Sequence, residues 1–159
     1  MAGEKTLERA EQRVELGRIS ARLAITPEIS VRLVASLLAL AVATVHVADQ
    51  GGITVLNSPP AWLGWGFRLV EIGGVLTALV ILARPARLAW LGGAAGVLLG
   101  AGPFIGYVAT RSVGLPGDPH DVGNWGYWIG TISLIVEAAL VTLSAGMLLV
   151  QPRRPSASR

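Results

Sequence analysis

The chain has 159 residues, of which 52% are hydrophobic and 14% charged, against roughly 45–50% and about 25% in soluble domains. With a mean hydropathy of +0.59, that composition excludes an ordinary soluble or disordered chain and points to a membrane class. The absence of cysteine removes disulfide frameworks, Cys-ligated zinc, iron–sulfur clusters and thiol nucleophiles.

Residues 1–30 alternate acids and bases, with Leu7, Ala10, Val14, Ile19 and Leu23 at loosely helical spacing. This pattern predicts a cytoplasmic or interfacial helix. A cleavable signal peptide is not expected, because the apolar run starts only after this mixed-charge segment.

A hydrocarbon core about 30 Å thick takes roughly 20 helical residues, and four apolar runs of that length follow, at about 31–49, 61–83, 88–109 and 125–150. Thr26-Pro27-Glu28 reads as a helix start, with an N-cap, a proline in the first turn and an acid behind it; Ser58-Pro59 repeats the pattern. Arg84-Pro85 separates the second and third spans. Short connections between the spans make an antiparallel four-helix transmembrane bundle the economical all-α architecture. Residues 151–159 read as a disordered cytoplasmic tail.

Positive charge sorts by side. Lys5, Arg9, Arg13, Arg18, Arg22 and Arg32 precede the first span, Arg84 and Arg87 lie between spans two and three, and Arg153, Arg154 and Arg159 end the chain. The first and third loops carry only Arg111, so both termini are placed in the cytoplasm and those loops outside a cytoplasmic membrane. Trp62, Trp65, Trp125 and Trp128 then mark the outer interface and Trp90 the inner one. These flanking arginines also account for the basic pI near 10.2, and nucleic-acid binding is not expected.

Span three carries Gly92, Gly96 and Gly100 at four-residue spacing, then Gly102 and Gly106, a bare side for a close helix neighbour. Pro103 among them predicts a kink.

His46, Arg68, Glu71 and Glu137 fall inside the spans, where a charge costs roughly 2.5–3.5 kcal/mol on insertion scales. At about 1.5 Å per residue, Glu71 and Glu137 each lie about 15–17 Å from the outer ends of their helices, at matched depth. Arg68 precedes Glu71 by one turn and can pair with it. The stripes Ala35, Ala39, Val42, His46, Asp49 on span one and Gly126, Gly130, Ser133, Glu137, Val141, Ser144 on span four turn these groups inward. The expectation is an outward-facing intramembrane site of His46, Arg68, Glu71 and Glu137, serving a proton- or cation-linked transport component in a homo-oligomer or with a partner membrane subunit. A metal there would draw on His46, Glu71 and Glu137. Two further readings stay open: a membrane anchor or electron-transfer subunit binding haem, metal or quinone, and a structural or assembly subunit whose buried charges fix helix pairing. No cofactor is required by the sequence, and no phosphate loop, nucleophile elbow or HExxH motif argues for an enzyme.

The stretch from Tyr107 through Arg111-Ser112-Val113-Gly114-Leu115-Pro116, then Asn124-Trp125 and Glu137, resembles a family of small four-span membrane proteins common in actinobacteria. Those proteins share the tyrosine, an Arg-[ST]-x-Gly-Leu-Pro outer loop, an aromatic entry to the last span and a glutamate within it; their first-span histidine matches His46. The resemblance covers about residues 31–150 and implies an architecture, not an activity. Asp49, Tyr107, Arg111, Asp118, His120, Asp121 and Asn124 form a candidate outer-loop site, with Arg111 pairing to Asp118 or Asp121 or stacking on Tyr107. Asp121 or Asn124 is the expected cap of span four.

Overall fold

The structure, a computed structural model, describes residues 12, 13, 15, 26–53, 60–83 and 86–150. The expected interfacial helix before residue 26 falls almost wholly outside the described residues, as do Ser58-Pro59, Arg84-Pro85 and the tail 151–159. The chain divides into two compact units, Met1–Ser30 and Val31–Arg159.

Among the described residues the fold is all-helical and contains four long helices: α1 (Pro27–Asp49), α2 (Ala61–Leu82), α3 (Ala86–Ser112) and α4 (Trp128–Leu149). Each is long and apolar enough to cross a bilayer. α1 begins four residues before the apolar run, because the Ile29 amide and the Ser30 hydroxyl both bond to Thr26. The hydroxyl of Thr26 is thus the cap, and Pro27 fills the first turn, where no donor is needed. α3 outlasts its expected end by three residues and runs unbroken through Pro103.

The start of α4 differs from expectation. Neither Asp121 nor Asn124 caps it; the N-cap is Tyr127, which makes no side-chain capping bond. The cause lies in the preceding turn. The amides of Asn124 and Trp125 bond to the carbonyls of Asp121 and Gly123, Gly123 takes a positive φ of 81°, and the Asp121 carboxylate pairs with Arg111. Three more residues therefore remain in the loop before the helix starts.

Without a hydrophobic drive between helices in lipid, close backbone approach and hydrogen bonds hold the bundle. Gly74 of α2 lies against the backbone of Ala39 and the side chain of Ala43 on α1, and the Ser36 hydroxyl donates to the Ala78 carbonyl at 3.3 Å. Gly92 packs on Ile81 of α2, whereas Gly93, Gly96 and Gly100 pack on Leu148, Ser144 and Val141 of α4. These contacts run in opposite directions along neighbouring helices, so the bundle is antiparallel. Gly102 and Gly106 have no heavy atom near a would-be Cβ; the close-packed side of α3 ends at Gly100. Ala39, Val42, Ala78, Leu99 and Leu140, drawn from all four helices, form the buried core. Long side chains such as Leu37, Leu69, Leu98 and Ile135 point outward, each 65–74% exposed, as a lipid-facing surface requires.

Candidate functional site

The inward stripe of α1 is realised: Ala35, Ala39, Val42 and His46 are buried. At the next turn Asp49 is exposed, at the end of the helix. On α4, Gly130, Ser133, Glu137 and Ser144 are buried, joined by Leu140, while Gly126 is exposed in the turn before the helix. These two stripes face each other. They bring the Nε2 of His46 to 3.8 Å from Oε1 of Glu137.

The other ring nitrogen of His46 settles the tautomer. Nδ1 lies 2.8 Å from the Val42 carbonyl oxygen, which only accepts, so Nδ1 carries a hydrogen and donates it. In the neutral ring Nε2 then holds a lone pair, and it is this lone pair that faces the carboxyl group of Glu137. The ring also rests against Phe67 of α2, with centroids 5.4 Å apart and planes tilted by 55°.

Glu137 is 1% exposed. Its Oε1 accepts a 2.5 Å hydrogen bond from Ser133 one turn earlier on α4, and its Oε2 has no protein partner. On α2, Arg68 and Glu71 form the expected pair along one helix face, and Arg68 Nη2 also donates to the Gly52 carbonyl at 3.4 Å. The pair uses Oε2 of Glu71 and leaves Oε1 without a partner. Thus each glutamate is half-satisfied. Glu71 has an arginine beside it, whereas the titratable group facing Glu137 is His46.

At the end of the bundle where α1 finishes, the α3–α4 loop gathers some of the outer-loop candidates and leaves others apart. Arg111, buried in the last turn of α3, pairs with Asp121 rather than Asp118. Its guanidinium also stacks over Tyr107 at 4.8 Å and Tyr127 at 5.8 Å, so the expected ion pair and the expected stacking occur together. Tyr127 donates to the Asp49 carboxylate at 2.6 Å. The Tyr127 phenol is pushed up to about 12, first because its neutral hydroxyl is held by that carboxylate and then because burial disfavours the phenolate. Asp118 is instead held through its backbone, which exchanges bonds with Leu115; His120 and Asn124 are exposed. Among the described residues no three His, Asp or Glu side chains gather as a metal-ligand cluster.

Three contributors carry no signal in a residue-by-residue search for intramembrane charge. Ser133 precedes Glu137 by four residues, a spacing that places its hydroxyl on the carboxylate. Tyr127 reaches 78 positions back to Asp49. Trp62, expected only as an interfacial anchor, donates from its indole nitrogen to the Pro116 carbonyl at 3.1 Å and ties the loop to the start of α2. Compared with known protein families, curated proteins and solved structures, the chain matches none.

Proposed function

We propose that this multi-pass membrane protein holds one exchangeable proton between His46 and Glu137 and works as a proton-linked component of a transport system in the cytoplasmic membrane. One observation carries the reading: the Nε2 of a buried histidine, whose Nδ1 is held by the Val42 carbonyl, faces a buried carboxyl group at 3.8 Å, between two different helices. Charge balance supports it. Arg68 neutralises Glu71, and one proton shared by His46 and Glu137 leaves this second pair neutral wherever that proton sits. Moving the proton from carboxyl to imidazole changes the internal charge separation while the net charge is constant, which suits a relay in hydrocarbon. The exposed Asp49, one turn from His46, offers the site a route to water at the loop end.

The resemblance to the four-span actinobacterial family is kept as part of the same proposal, with His46, Tyr107, Arg111 and Glu137 as the shared positions. So is the topology, with the α3–α4 loop outside and both termini in the cytoplasm. A bundle of this size encloses little space, and the proposal accordingly includes a second copy or a partner subunit to complete a pathway.

Two measurements on protein reconstituted in vesicles test the function. Infrared spectroscopy should show a protonated carboxyl band that disappears in Glu137→Gln. An internal pH dye should report proton entry, driven by a potassium diffusion potential, that is lost in Glu137→Gln and reduced in His46→Gln. A wild-type spectrum without the Glu137 band at any pH between 5 and 8 would sink the proposal. A band with no proton entry would restrict the site to helix pairing.

A further inference from the structure

His46 and Glu137 are anchored very differently. The imidazole is fixed on two sides, by the bond from Nδ1 to the Val42 carbonyl at 2.8 Å and by the Phe67 ring at 5.4 Å between centroids. It has little freedom to approach a partner. Glu137 has a single tether among the described residues: Ser133 donates to Oε1 at 2.5 Å, and Oε2 has no partner. The same Oε1 faces Nε2 of His46 at 3.8 Å, beyond the roughly 2.7–3.2 Å of an N···O hydrogen bond. The carboxyl group thus leans on the serine and stops short of the imidazole. Closing the gap is a movement of Glu137, and the bond that resists this movement is the one from Ser133.

A hydroxyl on a helix has a second acceptor within reach, the carbonyl four residues earlier. This chain uses that alternative repeatedly: Thr44 donates to the carbonyl of Leu40, Thr131 to that of Tyr127 and Thr142 to that of Ala138, at 2.8–3.4 Å. Ser133 instead points forward, to Glu137. Its own backward acceptor is the Ile129 carbonyl in the first turn of α4, which keeps a second lone pair beyond its helical bond. Ser133 is buried, so a hydroxyl that leaves Oε1 must find a partner in the protein. A side-chain rotation onto Ile129 supplies one.

We propose, on the basis of the proton relay above, that Ser133 is the positioning residue that gates it. Donating to Oε1, the hydroxyl holds Glu137 out of reach of His46; turned onto the Ile129 carbonyl, it releases the carboxyl group to close on Nε2. In the closed state the O–H bond at Oε1 breaks, the N–H bond at Nε2 forms, and the electron pair stays on Oε1. The carboxylate so formed draws the serine hydroxyl back, since a hydrogen bond to a charged acceptor is about twice as strong as one to a neutral group. The hold is thus restored once the proton has passed.

The test uses the full chain in phospholipid vesicles. Ser133→Ala removes the tether with the loss of one oxygen atom, and persistence of the Glu137 infrared band in this variant marks a folded site. Proton entry should rise about five- to tenfold, the difference between giving up a hydrogen bond to a charged acceptor and one to a neutral acceptor. Ser133→Thr, which keeps the hydroxyl, should return the rate toward that of the parent. The Nε2 resonance of His46, read by nitrogen NMR, should move upfield in Ser133→Ala as the carboxyl group comes into hydrogen-bond range, and should stay in place in Ser133→Thr. Loss of proton entry in Ser133→Ala would overturn the proposal by making the hydroxyl a carrier of the proton, and an unchanged rate would overturn it by making the serine a packing group. A parent protein without proton entry would remove the relay itself; Ser133 as the hold on Glu137 would then stand on a shifted Nε2 resonance and fall on an unshifted one.

Discussion

The ring of Tyr107 on α3 occupies the space in which a β-carbon on Gly130 of α4 would stand. The two residues interlock the end of the bundle that carries the loop. Gly130→Ala should therefore displace the ring and, with it, one face of the Arg111 stack. Overpacking of this kind costs about 1–3 kcal/mol, which reversible unfolding in mixed detergent would register. Gly106→Ala, on the open side of α3, should leave stability within about 0.5 kcal/mol of the parent.

Arg111 is 6% exposed on its side chain and Asp121 is 38% exposed, so the two ends of this ion pair are not equivalent. Removing the aspartate leaves a buried guanidinium with two aromatic neighbours; removing the arginine leaves a carboxylate that water can reach. Asp121→Ala is expected to cost more from the loss of the ion pair than the pair contributes, up to about 3 kcal/mol. Arg111→Lys should fail to restore stability, because an ammonium lacks the planar face that lies over Tyr107 and Tyr127. A double-mutant cycle on the same unfolding assay gives the coupling directly.

The Tyr127 phenol, pushed up to about 12, makes the contact with Asp49 sensitive to alkali. The folded protein holds this proton more tightly than an unfolded chain, in which tyrosine ionises near 10. The contribution of the contact to stability is therefore complete below pH 10 and lost as pH rises from 10 toward 12. Ultraviolet titration of tyrosinate should show the late ionisation, and Asp49→Asn should bring it down. No change in the titration curve on Asp49→Asn would show that the carboxylate does not hold the phenol.

Because the chain has no cysteine, its topology can be read with single introduced thiols. Val113, 82% exposed beside the α3–α4 loop, and Val150, 80% exposed just after α4, stand at opposite ends of the last helix. In intact cells a membrane-impermeant maleimide should label Val113→Cys and spare Val150→Cys. The reverse pattern would invert the proposed orientation.

The helices were legible in the sequence because each is a long apolar run. The inward face of α1 was legible too, since Ala35, Ala39, Val42 and His46 share one helical side. Pairing across helices was less so. Arg111 had two acids within reach, and only the turn at Gly123, whose amide bonds to the Arg111 carbonyl, brings Asp121 rather than Asp118 to it. Gly102 and Gly106 continue the small-residue pattern in one dimension but face open space in three.

The pairing of Arg68 with Glu71 within one helix also bears on how the chain enters the bilayer. A helix that brings both its acid and its base, one turn apart, is electrically balanced before any neighbour arrives. α2 can thus leave the translocation machinery as an almost neutral rod, without waiting for α3 and α4 to be made. Glu137 is different: the histidine it faces lies on the first helix, already in the membrane when the last one emerges. Glu71 thus enters with its partner beside it on the same helix, and Glu137 comes last, to a histidine made before it.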